Sequence, residues 1–238
     1  MTLLSGVLPL TSSIITFLFA YYVLSRWTTR RRNHLLFWGI GLIFYGIGGA
    51  MEAYYGLIGW HPLVFRLWYL FGAVLVAAWL GQGTVFLLAK RKVAWTLFAL
   101  LALGSLYAVF KVFTAELDPS QMIGHELSGH AIVSGGVRVL TPFFNLYGLV
   151  MLVGGAAYSA WLFWRKRVLL NRVTGNILIA LGALAPGFGG AFQRAGIPLA
   201  LYVGELLGAV LMFIGFLYAT QQIGESASKP SLRKAGVS

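Results

Sequence analysis

Apolar residues crowd into seven stretches of the chain, at approximately 3–26, 34–58, 64–89, 93–114, 139–164, 173–194 and 198–221. A helix needs roughly 20 mostly apolar residues to cross the hydrocarbon core of a bilayer, so each stretch predicts one spanning helix. The fold class that follows is all-α: a polytopic membrane protein built as a seven-helix bundle. Most connections are short, which favours antiparallel neighbours in one compact bundle. The exception is the loop 115–137, which carries Asp118-Pro119-Ser120, His125, Glu126, His130 and Gly135-Gly136. The first run has no basic residue before Arg26 and is longer than the apolar stretch of a signal peptide, so it reads as a retained helix. Residues 222–238 read as a short polar tail with no catalytic or signalling domain.

Composition sharpens this picture. Of the 238 residues, 59% are hydrophobic and only 10% are charged, against roughly 25% charged in soluble domains. An ordinary soluble enzyme, a disordered chain and a disulfide scaffold are excluded together. The absence of Cys removes thiolate chemistry, Fe–S clusters and Cys-based zinc sites.

The net charge of +12 raises nucleic-acid binding, but its distribution argues against it. Fourteen of the 18 Lys and Arg residues fall in four clusters: Arg26 with Arg30 to Arg32, Lys90 to Lys92, Arg165 to Arg167 with Arg172, and Lys229 with Arg233 and Lys234. Each lies at the end of an apolar run, the pattern of positive charge retained in the cytoplasm. This predicts the N-terminus outside and the C-terminus inside, with no nucleic-acid partner. The opposite side keeps Arg66, Lys111, Arg138 and Arg194, and its half holds Glu52, Glu116, Asp118, Glu126 and Glu205.

The glycines repeat. Gly41, Gly46, Gly48, Gly49 and Ala50 match Gly182, Gly187, Gly189, Gly190 and Ala191 at an offset of 141, as does Arg31 with Arg172. At an offset of 136, Gly72-Ala73-Val74-Leu75 answers Gly208-Ala209-Val210-Leu211. The chain therefore divides into repeat units at about 1–92 and 138–221, a linker helix at 93–114 and the outer loop. Both units run in the same direction, a parallel repeat. Gly204-Glu-Leu-Leu-Gly208 offers a small-residue face for close helix contact. Pro186 predicts a kink where span 2 has Tyr45.

This arrangement resembles the 3+1+3 membrane folds of microbial rhodopsins and SWEET-type sugar carriers, and the seven-helix sensory modules of some bacterial histidine kinases. The resemblance rests on topology and glycines. Span 7 contains no Lys, so the retinal attachment that a rhodopsin resemblance implies is missing and no cofactor is expected. A receptor-like or carrier-like relationship remains.

Ionisable residues inside spans are functional candidates by default. Glu52, Asn145 and Glu205 each lie about seven residues from the outer end of their span, roughly 10 Å deep at 1.5 Å per residue. Arg66, Arg138 and Arg194 lie nearer the mouth. The expectation is an outward-facing ligand pocket with the first three as floor and the arginines as rim. The competing expectation pairs the two carboxylates with those arginines as structural ion pairs. In the repeat Glu52 aligns with Gln193, and Tyr69 with Glu205. Apart from its basic ends, the inner half offers Gln82, Thr84, Ser159 and Asn176, which weakens a proton or ion path across the membrane.

His125, Glu126 and His130 invite a metal reading, but an i, i+5 spacing puts the two histidines about 140° apart on a helix. A solvated loop without metal is expected instead. Paired histidines at membrane depth, nucleophile elbows and phosphate loops are absent. Tyr21, Tyr22, Trp27, Trp60, Trp68 and Tyr69 read as aromatic belts at span ends. The resulting expectation is a bacterial-type, multi-pass plasma-membrane protein. It would act as a non-enzymatic, receptor-like module through a membrane partner or a homo-oligomer. The alternatives are a carrier of small neutral solutes and an accessory subunit of a respiratory or photosynthetic complex.

Overall fold

The computed structural model describes residues 3–122, 126–133, 136–166 and 170–220. It is all-helical, with no strand among the described residues. Seven helices are long and apolar enough to cross a membrane. They are α1 (Leu4–Arg30), α2 (Asn33–Leu57), α3 (Pro62–Leu88), α4 (Arg91–Thr114), α5 (Val137–Arg165), α6 (Leu170–Arg194) and α7 (Ala200–Thr220). The basic tail residues Lys229, Arg233 and Lys234, together with Arg167, lie outside the described residues.

Local chemistry sets the helix boundaries. α1 stops where Arg31 turns left-handed, at φ 50°, and returns its N–H to the Trp27 carbonyl at 2.8 Å. α3 starts at Pro62, whose missing N–H costs nothing in a first turn. The His61 side chain caps that turn by accepting from the Leu63 N–H at 3.2 Å.

Six helices close a ring in which α1 packs on α2, α2 on α3, α3 on α5, α5 on α6, α6 on α7 and α7 back on α1. α4 lies outside the ring and touches mainly α3. Its Leu100, Leu103, Leu106 and Phe110 are exposed, as are Phe143 and Leu146 of α5 and Phe188 and Phe192 of α6. An apolar outer surface of this extent suits hydrocarbon rather than water.

Close backbone approach explains the glycines. A Cβ on Gly48 of α2 would sit 2.8 Å from the Gly72 Cα of α3. Between α6 and α7, a Cβ on Gly204 of α7 would sit 2.6 Å from the Ala185 carbonyl of α6, and one on Gly208 would sit 2.8 Å from the Gly182 carbonyl. Glycine is therefore the residue that lets these helices touch. The two contacts differ in register: Gly48 meets Gly72, whereas Gly189 meets Ala200 and Leu201. Pro186 does not end α6, which runs on to Arg194 and packs the proline ring beside Gly208.

Within α3, residues Trp68–Leu75 form a π-helical segment. Wider turns of this kind rotate side chains out of α-helical register and cluster at functional sites. Here the segment delivers Trp68 towards α2, Gly72 to Gly48, and the Ala73 carbonyl to Asn145 of α5.

A candidate carboxyl site beneath the long loop

The described part of the 115–136 connection folds back on the bundle rather than into solvent. The Asp118 N–H donates to the Ala131 carbonyl at 2.8 Å and the Val133 N–H to the Glu116 carbonyl at 3.1 Å. Leu127, Ala131 and Ile132 are buried in one apolar cluster with Tyr55, Phe65, Trp68 and Tyr69. The expectation of a solvated loop is therefore corrected. These apolar residues, one to six positions after Glu126, anchor it to α2 and α3.

Under this loop the side chains of Glu52 (α2) and Glu205 (α7) come within hydrogen-bonding reach of each other. Glu52 is 2% exposed, and its Oε1 accepts the Trp68 indole N–H at 2.7 Å. The Oε2 atoms of both glutamates are buried and, apart from the other carboxyl, receive no N–H or O–H among the described residues. Two carboxyl oxygens are both acceptors, so their contact becomes a bond only with a proton on one of them. Among the described residues neither carboxyl has an Arg or Lys as ion-pair partner.

Aromatic residues complete the surroundings. The Tyr45 hydroxyl donates to the Glu205 backbone carbonyl at 2.8 Å and lies beside the Ser12 hydroxyl of α1. Tyr202, 1% exposed, is flanked by Glu52, Glu126 and Glu205. Glu126 brings a third carboxylate from the loop. Burial pushes its carboxyl above the ordinary range, and the Leu199 N–H, which it accepts, offsets part of that shift. Leu199 stands just before α7 with φ 61°, a costly left-handed conformation for a leucine.

The remaining candidates go elsewhere. Arg66 donates to the Val112 carbonyl and, at 2.9 Å, to the Ala115 carbonyl, satisfying the carbonyls that the end of α4 leaves open. Asn145 donates to the Ala73 carbonyl at 3.1 Å, inside the π-helical segment. Arg138 is exposed near Tyr69, whose hydroxyl is bonded to Thr141 at 2.8 Å. Arg194 is exposed in the last turn of α6. Gln193, which the glycine spacing aligns with Glu52, accepts the Leu201 N–H at 3.2 Å and ties α6 to α7.

His125 lies outside the described residues. His130 is exposed, with Nδ1 bonded to the Ser128 hydroxyl at 2.7 Å. Among the described residues no group of three His, Cys, Asp or Glu side chains is placed to hold a metal ion.

Trp68, Tyr45 and Tyr202 were not legible as site residues. Trp68 and Tyr69 are buried core residues, which corrects their assignment to an aromatic belt. The nearest signal in the sequence was the alignment of Tyr45 with Pro186, a bulky polar ring where the other half has a proline. No family model matches the chain, and no curated protein or solved structure shows significant similarity to it.

Proposed function

We propose that the chain is a multi-pass plasma-membrane protein with its N-terminus outside, working as a non-enzymatic, receptor-like module. Its ligand centre is the Glu52–Glu205 pair in the outer half of the bundle, and occupancy is passed to a membrane partner. The clusters Arg30 to Arg32, Lys90 to Lys92, and Arg165 with Lys166 support the orientation, because they cap consecutive hairpins at the end opposite the long loop.

The observation that carries the reading is a buried pair of carboxyls at positions 153 apart on two helices, with no cationic partner among the described residues. Structural carboxylates at this depth recruit an Arg or Lys, because an unpaired buried charge is costly. Three arginines stand at this end, and α3 spends Arg66 on α4 instead. The pair also bridges the first three-helix unit and the second, so a ligand there bears on how the two units pack.

The experiment is purification of the full chain from its native membrane, with mass spectrometry of the small molecules released. A compound retained by the wild type and lost from Glu205→Gln supports the reading. Equal small-molecule content in both overturns it. A carrier of small solutes is the second reading, favoured by the glycine-packed interface within each unit. In proteoliposomes a receptor binds its compound without flux, whereas a carrier moves it across.

A further inference from the structure

We propose that the Glu52–Glu205 site takes a small monovalent organic cation, a protonated amine or a quaternary ammonium. This rests on the receptor reading above and names the ligand class of that same site.

Three independent features point to it. The first is the deficit of donors. Glu52 Oε1 has the Trp68 indole, but among the described residues no N–H reaches the buried Oε2 of Glu52 or the buried Oε2 of Glu205. One shared proton makes a bond between the two carboxyls and still leaves the pair with a net negative charge. Glu126 adds a further carboxylate from the loop side. A bound cation supplies both the missing donor and the missing charge.

The second feature is the wall. Trp68 is bonded to Glu52, the buried Tyr202 lies within electrostatic range of both carboxyls, and the Tyr45 hydroxyl is bonded to the Glu205 backbone. Carboxylates with aromatic side chains close by are the chemistry that recognises ammonium groups, through charge and through the ring quadrupole. The third feature is the spacing. The three carboxyls do not converge closely enough to form a metal site among the described residues. A larger, softer cation, whose charge is spread over several N–H or methyl groups, matches such a spread of acceptors.

The loop contributes to the same site. Leu127 and Ala131 are buried against α2 and α3, and the Glu126 carboxylate accepts the N–H of the strained Leu199. The described part of the loop is thus docked beside the pair, and its Glu126 carboxylate acts on both glutamates.

The test uses the full chain in lipid nanodiscs, with thermal unfolding read against increasing methylammonium or tetramethylammonium chloride. Potassium chloride at equal ionic strength and tert-butanol serve as the ionic and neutral controls. The expected result is a saturable rise in the unfolding midpoint with the organic cations alone, since a ligand bound only by the folded state stabilises it. Apparent affinity should be about tenfold weaker or worse in Glu52→Gln and Glu205→Gln, the loss expected for one charge-assisted contact. Trp68→Phe, which keeps both carboxyls, should retain binding with reduced affinity.

Equal midpoints with organic cations, potassium chloride and tert-butanol overturn the proposal using the wild type alone, whether or not the variants fold. Stabilisation that persists unchanged in both Gln variants also overturns it. If the cations fail but the native-membrane experiment still finds a compound released by Glu205→Gln, the ligand class falls and the receptor reading stands. If both fail, the carboxyl pair is a proton-sharing structural contact.

Discussion

Trp68 donates its indole N–H to Glu52 Oε1 at 2.7 Å, a bond between two buried side chains 16 positions apart on α3 and α2. The bond sits at the start of the π-helical segment, whose wider turns change the register between the residues before and after it. The same segment gives Asn145 its acceptor and brings Gly72 against Gly48. One local distortion therefore fixes a site residue, a helix-to-helix bond and a glycine contact.

Trp68→Phe isolates the bond from the ring. The substitution keeps most of the buried aromatic surface and removes the donor, leaving Glu52 Oε1 without its indole partner. A loss of about 2 kcal/mol in unfolding free energy is expected, the cost of orphaning a buried acceptor. Denaturant titration in mixed micelles measures it. A change under about 0.5 kcal/mol, the usual size for a surface substitution, would mean that water replaces the indole.

The carboxyl pair makes a different prediction. In Glu205→Gln the amide donates to Glu52 without needing a proton, so the contact survives in neutral form. Stability should stay within about 1 kcal/mol of the wild type, whereas Glu205→Ala should cost about 2–3 kcal/mol through lost packing and an orphaned partner. Parallel unfolding curves for the two variants decide this. Equal losses would show that the hydrogen bond is not what the pair contributes.

Much of this architecture is legible in the residues and some of it is not, for physical reasons. Length and hydropathy locate all seven long helices to within a few residues, because a helix of membrane-crossing length needs a continuous apolar run. Depth is legible too: counting from the span ends puts Glu52 and Glu205 at one level, where they meet. Rotation is not legible. These helices are apolar on most of their circumference, so no polar face reveals which side packs inward. That is why Asn145 points to α3 and Arg66 to α4 rather than to the carboxyls. The bond from Trp68 to Glu52 sits at the start of a π segment that no sequence signal marks. The docking of Leu127 and Ala131 depends on a surface that only the folded helices create.

The glycine contacts discriminate sharply between positions. A Cβ at Gly48 would lie 2.8 Å from backbone in α3, so Gly48→Leu should force the α2–α3 pair apart. A loss of about 1–3 kcal/mol or more is expected, the range for overpacking a close contact. Gly154 and Gly187 have nothing within 4 Å of an added Cβ. Gly154→Ala and Gly187→Ala should be neutral or stabilising by up to about 1 kcal/mol, through helix propensity. Midpoints for all three variants in one detergent provide the comparison.

Arg66 tests the attachment of α4, the helix outside the ring. Its guanidinium reaches two carbonyls at the end of α4, Val112 and Ala115, which one ammonium cannot span in the same way. Arg66→Lys should therefore loosen the end of α4 nearly as much as Arg66→Ala, with hydrogen exchange rising at residues 108–115 and little changed in α1 and α2. Uniform exchange across the bundle would instead assign Arg66 a global role.

Glu126 sets the pH response of the docked loop. Burial holds its carboxyl above the ordinary range, with the Leu199 N–H offsetting part of the effect. The groups facing it are Glu52 of α2 together with Glu205 and Tyr202 of α7. A group whose proton is bound more tightly in the docked state favours docking most below its free value, about 4.3 for a glutamate. That contribution fades as pH rises from there through the raised value. Protease nicking of the 115–136 connection should thus be faster near neutral pH than in acid for the wild type. Glu126→Gln, uncharged throughout, serves as the reference for the protease's own pH dependence. The ratio of wild-type to variant cleavage should exceed one at neutral pH and approach one in acid. A ratio below one at neutral pH would mean that the carboxylate's bond to Leu199 outweighs its burial, and that the charge closes the loop rather than opening it.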